Sequence, residues 1–192
     1  MKSGITSLLV VIIFTGTACN NRQGSAIKEQ KQSPGSQIKV NPPDIDIHTA
    51  TVMGNLEVIR QHIKAGTDLN LKEPAGGSTP LITAAVFGKT KIALALIEAG
   101  ADLDLKNNDG STALHSAAFF CRTEIVKALL EKGADKNIRN NYGSTPLETV
   151  TASFSDVKGI YDQISRDLGP LGFKLDYIQL EKTRPVIADM LR

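Results

Sequence analysis

The chain has 192 residues, 41% of them apolar, enough for one domain with a real core and leaving little room for a second. Lys and Arg number 22 against 20 Asp and Glu, aromatic residues make up 5%, and Trp is absent. This balance excludes a general attraction for nucleic acid or anionic lipid and offers few platforms for stacking bases.

Lys2 gives a positive start, and Ile5 to Phe14 (ITSLLVVIIF) is apolar apart from Thr6 and Ser7. That run is far shorter than the roughly 20 residues a helix needs to span a bilayer; it has the length of a signal-peptide core. Gly16, Thr17 and Ala18 then place small residues before Cys19. Residues 1–18 with Cys19 resemble a bacterial lipoprotein signal, which implies cleavage before Cys19, acylation of that residue, and a membrane attachment through the lipid alone. Gly16 stands where that family usually has Leu. Ordinary cleavage after Ala18, giving a soluble periplasmic or secreted chain, is the second reading, and an uncleaved anchor the third. Residues 19–43 are rich in Asn, Gln, Ser, Gly, Lys and Pro and contain almost nothing to bury, so they read as a flexible tether, about 25 to 30 Å end to end. A tail without a role is the plainer alternative.

From residue 44 a period takes over. Gly-Ser-Thr recurs at 77–79, 110–112 and 143–145, each followed by Pro or Ala and then Leu, a spacing of 33 residues. Gly100-Ala101-Asp102 and Gly133-Ala134-Asp135 repeat in the same register, and Gly66-Thr67-Asp68 marks an earlier copy. Each copy predicts two helices. Thr79 caps the first, Pro80 occupies its first turn where a missing N–H costs nothing, and Gly88 ends it. Ile92, Ala95, Leu96 and Ala99 face the second helix inward, and Gly100 stops it. Thr145 with Glu148 makes a capping box in the fourth copy. Neither helix pair can bury its apolar face alone, so the copies must stack.

The pattern resembles ankyrin repeats: Thr-Pro-Leu-His, Ala-Ala, a glycine between helices and Gly-Ala-Asp. The resemblance implies an all-α solenoid of four helix-turn-helix repeats joined by hairpin loops, at about 44–74, 75–107, 108–140 and 141–168, with a helical cap at 169–192. Departures are informative. Gln61 and His62 replace apolar positions of the first repeat, as expected of a terminal layer exposed on one side. Cys121 replaces the inter-helix glycine of the third, and Phe154 that of the fourth. Val157, Ile160, Tyr161, Ile164 and Leu168 share one face of the fourth copy's second helix, and Asp176 to Arg192 reads as a further helix restarting at Thr183-Arg184-Pro185, with Ile187, Met190 and Leu191 closing the stack.

No cofactor and no metal is implied. His48 and His115 are two repeats apart, ~20 Å at 8 to 10 Å per layer, against ligand bonds near 2 Å; the resemblance implies that this histidine braces the Thr-containing turn. Arg122 beside Cys121 favours thiolate, yet no base is positioned for a nucleophile, and an inert half-buried thiol is the competing reading. The Gly-Ser turns lack the Lys-Ser or Lys-Thr of a phosphate loop, and Asp102, Asp104 and Asp109 lack the spacing of a calcium loop.

The pairs preceding each inter-helix turn are Val52-Met53, Val86-Phe87, Phe119-Phe120 and Ala152-Ser153. In register they predict an apolar stripe on the concave side, flanked by loop residues that include Asn108, Asp109, Asn141 and Tyr142. The resemblance implies that partners bind there. The expected function is therefore non-catalytic binding of another protein by a monomeric scaffold of the bacterial cell envelope. A thiol-dependent enzyme using Cys121 and a structural spacer are the alternatives.

Overall fold

The computed structural model describes residues 41–192. The signal-like segment, Cys19 and nearly all of the expected tether lie outside the described residues, which hold helices and no strand. Three helix pairs come first: α1 (Ile47–Met53) with α2 (Leu56–Ala65), α3 (Pro80–Phe87) with α4 (Thr90–Glu98), and α5 (Ala113–Phe119) with α6 (Thr123–Glu131). They are followed by a short α7 (Glu148–Thr151), a long α8 (Phe154–Leu168), a 3-10 turn at Gly169–Leu171 and α9 (Tyr177–Leu191).

The caps act where the sequence places them. The Thr79 hydroxyl accepts from the Ile82 amide, and Gly88 closes α3 in the left-handed region at φ 65°. The inner helices α1, α3, α5 and α7 pack side by side. Ala84, Ala85, Ala117 and Ala118 are fully buried between them, their small side chains allowing close approach. Behind this row lie α2, α4 and α6, whose Ile59, Ile92, Leu96, Ile125 and Leu129 complete one continuous core.

The fourth layer departs from expectation. The outer position behind α7 and beside α6 is filled by α9, not α8. Ile187, Ala188 and Leu191 of α9 belong to the core of the stack. The helix also runs without interruption through Pro185 instead of restarting there. Pro185 and Glu181 are both exposed, so the carbonyl four residues back that loses its donor lies on the solvent side. With its outer slot taken, α8 turns its apolar face onto a second, aromatic cluster: Tyr161, Phe120, Phe173, Val157 and Leu180, with Phe87, Phe119 and Phe154 packed against them.

Two histidine expectations are corrected. His62 is not an exposed end-layer substitution but is buried at 3% exposure, its Nδ1 meeting the Thr67 hydroxyl at 3.0 Å and its Nε2 the Ile45 carbonyl at 2.8 Å. His48 does not brace a threonine turn, and both its ring nitrogens are buried without a partner. In its repeat Asp46 takes the N-cap position that Thr79 and Thr112 hold in the next two, its carboxylate accepting the His48 and Thr49 amides.

Candidate functional site

The hairpin loops between repeats are built by the same device each time. The Asn107 side-chain oxygen accepts the amides of Asp109 and Ser111, and the Asn140 oxygen those of Tyr142 and Ser144. Glu73 does this work one repeat earlier through the amides of Ala75, Gly76 and Ser78. Its carboxyl is lowered in pKa because these amide bonds outweigh a desolvation that pushes the other way. Successive tips are then tied together. The Asn108 amide donates to the Gly76 carbonyl and the Asn141 amide to that of Asp109, both at 2.9 Å. Gly110 sits at φ 71° directly beneath Asn141, so any Cβ there would collide with the ladder.

His115 links two layers. Its Nδ1 accepts the Thr112 backbone N–H at 3.2 Å, which leaves the proton on Nε2 to reach the Ser144 carbonyl at 3.0 Å. Burial lowers its pKa from that of a free imidazole and holds it neutral. This histidine therefore does brace the threonine turn, as the resemblance implies.

The apolar stripe is mostly covered by the chain itself. Tyr161 of α8 stacks on Phe119 with ring centroids 4.4 Å apart, and its hydroxyl donates to the Phe119 carbonyl at 2.6 Å. Phe173 meets Phe87 and Phe120 edge-on at 5.7 and 5.4 Å. Phe120, expected as a partner contact, is a core residue at 5% exposure, and Phe87 and Phe119 are half-buried. A stripe running free across three repeats is thus corrected. α8 and the segment after it add aromatic surface that lies flat on the inner helices, and the stripe is buried under it. Of the first pair, Val52 is half-buried and Met53 exposed at 66%, at the opposite end of the stack from α8.

What remains open is a cleft of about 600 Å³. Its floor is Val86, Ser116 and Phe119; one wall is Val157, Ile160, Ile164 and Leu168 of α8; the other is the loops, with Asp109, Ser111, Tyr142 and Ser144. The sequence-predicted Asp109 and Tyr142 meet here, the Tyr142 hydroxyl donating to Asp109 at 3.4 Å. Asn108 and Asn141 stay exposed at the tips, but their side-chain amides are bonded to the Ala75 and Asn108 carbonyls of the preceding loop. Ile160, 51% exposed, is the cleft residue that sequence reasoning assigned elsewhere. Its signal was the amphipathic face of α8, correctly drawn but directed toward the stack.

Burial sets the titration of two groups in and against the aromatic cluster. Cys121 is half-buried, its thiol donates weakly to the Leu180 carbonyl at 3.7 Å, and burial pushes it up to about 11 against the opposing charges of Arg184 and Arg122. A thiol so held is protonated at neutral pH and a poor nucleophile. Tyr161 is likewise pushed up by burial to about 12. Among the described residues no group of three or more His, Cys, Asp or Glu is placed to hold a metal ion, and no helix is long and apolar enough to cross a membrane.

A family model described as ankyrin repeats, in three copies, matches residues 47–150. The crystal structure of the ankyrin repeat domain of Bcl-3, described as a unique member of the IkappaB protein family, is similar to this chain with a TM-score of 0.52 and 28% identity. The likeness covers 54% of this chain and 45% of that one, so this chain spans less than half the length of the solved chain it matches. No curated protein matches.

Proposed function

Since the chain belongs to the ankyrin-repeat family, a fold that generally mediates protein–protein interaction and for which no catalytic family is matched, we propose that it captures another protein in the cleft between its inner helices, its loop tips and α8. The observation that carries this reading is Ile160: a large aliphatic side chain 51% exposed, lining a cleft where the apolar inner surface meets α8 and the loop tips. Exposed apolar surface rimmed by polar groups marks interaction sites in soluble proteins. The partner belongs to the cell envelope in this proposal, because residues 1–19 carry the features of an export and acylation signal at Cys19. Support for that second half comes from the sequence of those residues alone.

The test uses the full chain as bait in envelope extracts, with Ile160→Asp, Tyr142→Ala and Met53→Asp compared with wild type. The first two are expected to lose a captured protein that the third retains, with unchanged helical circular dichroism throughout. Equal loss with Met53→Asp, or none with Ile160→Asp, overturns the site. Metabolic labelling with a radiolabelled fatty acid tests the anchor, and wild-type labelling that persists in Cys19→Ala overturns acylation at that residue.

A further inference from the structure

The cleft has a charge pattern that selects among partners. Asp109 and Glu148 are its charged lining residues, both acidic, and among the described residues that line it there is neither Lys nor Arg. Glu148 is answered from outside by Arg139, whose guanidinium meets the carboxylate at 2.7 Å. Among the described residues the Asp109 carboxylate has only the long bond from Tyr142. Three other polar residues of the loop side are engaged within the fold: the oxygens of Asn107 and Asn140 hold their own turns, and His115 has both ring nitrogens bonded. A guest therefore meets an uncompensated carboxylate, beside it the face of Tyr142, 76% exposed, and opposite them the aliphatic wall of Ile160, Ile164 and Leu168.

We infer that the cleft takes a short segment of a partner protein in which a Lys or Arg is flanked by aliphatic side chains. This rests on the binding reading of the same cleft. The cation pairs with Asp109 while its methylene stem and charge lie over the Tyr142 ring, an arrangement that suits long basic side chains and no acidic one. The neighbouring aliphatic groups cover Ile160 and Ile164, removing their apolar surface from water. An acidic segment would place like charge against Asp109 without a cation among the lining residues to relieve it.

The experiment selects random 12-residue peptides displayed on phage against the immobilised full-length protein, then measures a synthetic consensus peptide by fluorescence anisotropy. A consensus with Lys or Arg beside Leu, Ile or Val is expected. Asp109→Asn should weaken it ~3- to 10-fold and flatten its salt dependence, and Ile160→Asp should weaken it more than ~10-fold by setting a charge on the apolar wall. A consensus without basic residues, or equal affinity for Asp109→Asn, overturns the cationic assignment. If such peptides still require Ile160, the cleft stands as the binding site while the cationic assignment falls. Enrichment of no peptide, or of peptides indifferent to Ile160→Asp, overturns both.

Discussion

The first three layers, residues 47–131, and the C-terminal part, residues 145–191, reach the same two-row packing by different means. In the first three the inner and outer helices are neighbours in sequence, joined by tight turns such as that at Gly88, and their cores are built of Ala, Leu and Ile. In the last, α7 is a single turn, its outer partner α9 arrives only after α8 has crossed to the other side of the inner row, and aromatic rings fill the space under α8. Repetition lets each layer copy the contacts of the one before, so no residue outside the period is needed. Among the described residues the fourth layer departs from that repetition, and its α8 covers part of the inner row and shapes a cleft.

If the two regions are held by different contacts, they should break differently. Tyr161→Ala removes the ring stacked on Phe119 together with the hydroxyl that bonds the Phe119 carbonyl and receives Arg184. A loss of ~3–5 kcal/mol is expected, as for other buried aromatics. Hydrogen exchange should show protection vanishing across α8 and Phe173 while α3 to α6 keep theirs. Leu96→Ala, at a fully buried site of the regular stack, should cost a similar ~2–5 kcal/mol but lower protection throughout the repeats. Identical exchange patterns for the two variants would show a single cooperative unit.

Arg184 joins the regions, and the next largest effect is expected there. It is 3% exposed, and its guanidinium donates to the Tyr161 hydroxyl and to the Thr149 and Ala152 carbonyls at the C-terminal end of α7. It thus pins α9, α8 and α7 with one side chain. Arg184→Met keeps much of the apolar stem and strands the acceptors, for an expected cost of ~2–3 kcal/mol. Urea unfolding checks the value, and the loss should be strongly non-additive with Tyr161→Ala because the two side chains are bonded to each other.

Stacking of the repeats was legible in the sequence because its signals are local: Thr79 caps its own helix, Gly88 ends it, and the period carries both forward. The path of α8 was not. Its face of Val157, Ile160, Tyr161, Ile164 and Leu168 declares that the helix is covered on one side, but periodicity is silent on which surface covers it. The same limit hid His62, whose polar ring reads as an exposed residue until the Ile45 carbonyl and the Thr67 hydroxyl, which satisfy it, are in place. At the cleft, Asp109 and Tyr142 were found because loop tips are exposed by construction, whereas Phe120 was misplaced because its cover, Phe173, arrives 53 residues later in the chain.

A pH series sharpens the contrast on the side of the regular stack. His115 has its pKa lowered by burial from the 6.5 of a free imidazole. The unfolded chain therefore takes up a proton before the folded one does, and stability must fall as pH drops below about 6.5 toward the folded value. The loss is expected in wild type and should be smaller in His115→Leu, which has no proton to bind. Denaturant midpoints measured from pH 7.5 down to 5 decide it, and an unchanged slope in the variant would assign the acid sensitivity to other groups.

Cys121 stands where the two constructions meet, and the smallest expected effect is there. Among the described residues it is the only one other than glycine with positive φ, 53°, in the place that Gly88 fills one repeat earlier. A Cβ in the left-handed region costs ~1–2 kcal/mol, whereas glycine loses more backbone freedom on folding, by ~0.5–1 kcal/mol. The thiol also touches the Leu180 carbonyl of α9. If backbone strain dominates, Cys121→Gly raises stability by up to ~1 kcal/mol, while Cys121→Ala keeps the strain, loses the sulfur and melts lower than wild type. If glycine is as harmful as alanine, the sulfur contact with α9 outweighs the strain, and the departure from the repeat at 121 belongs to the C-terminal construction. Thermal melts of the two variants, run beside wild type at one pH, separate the outcomes.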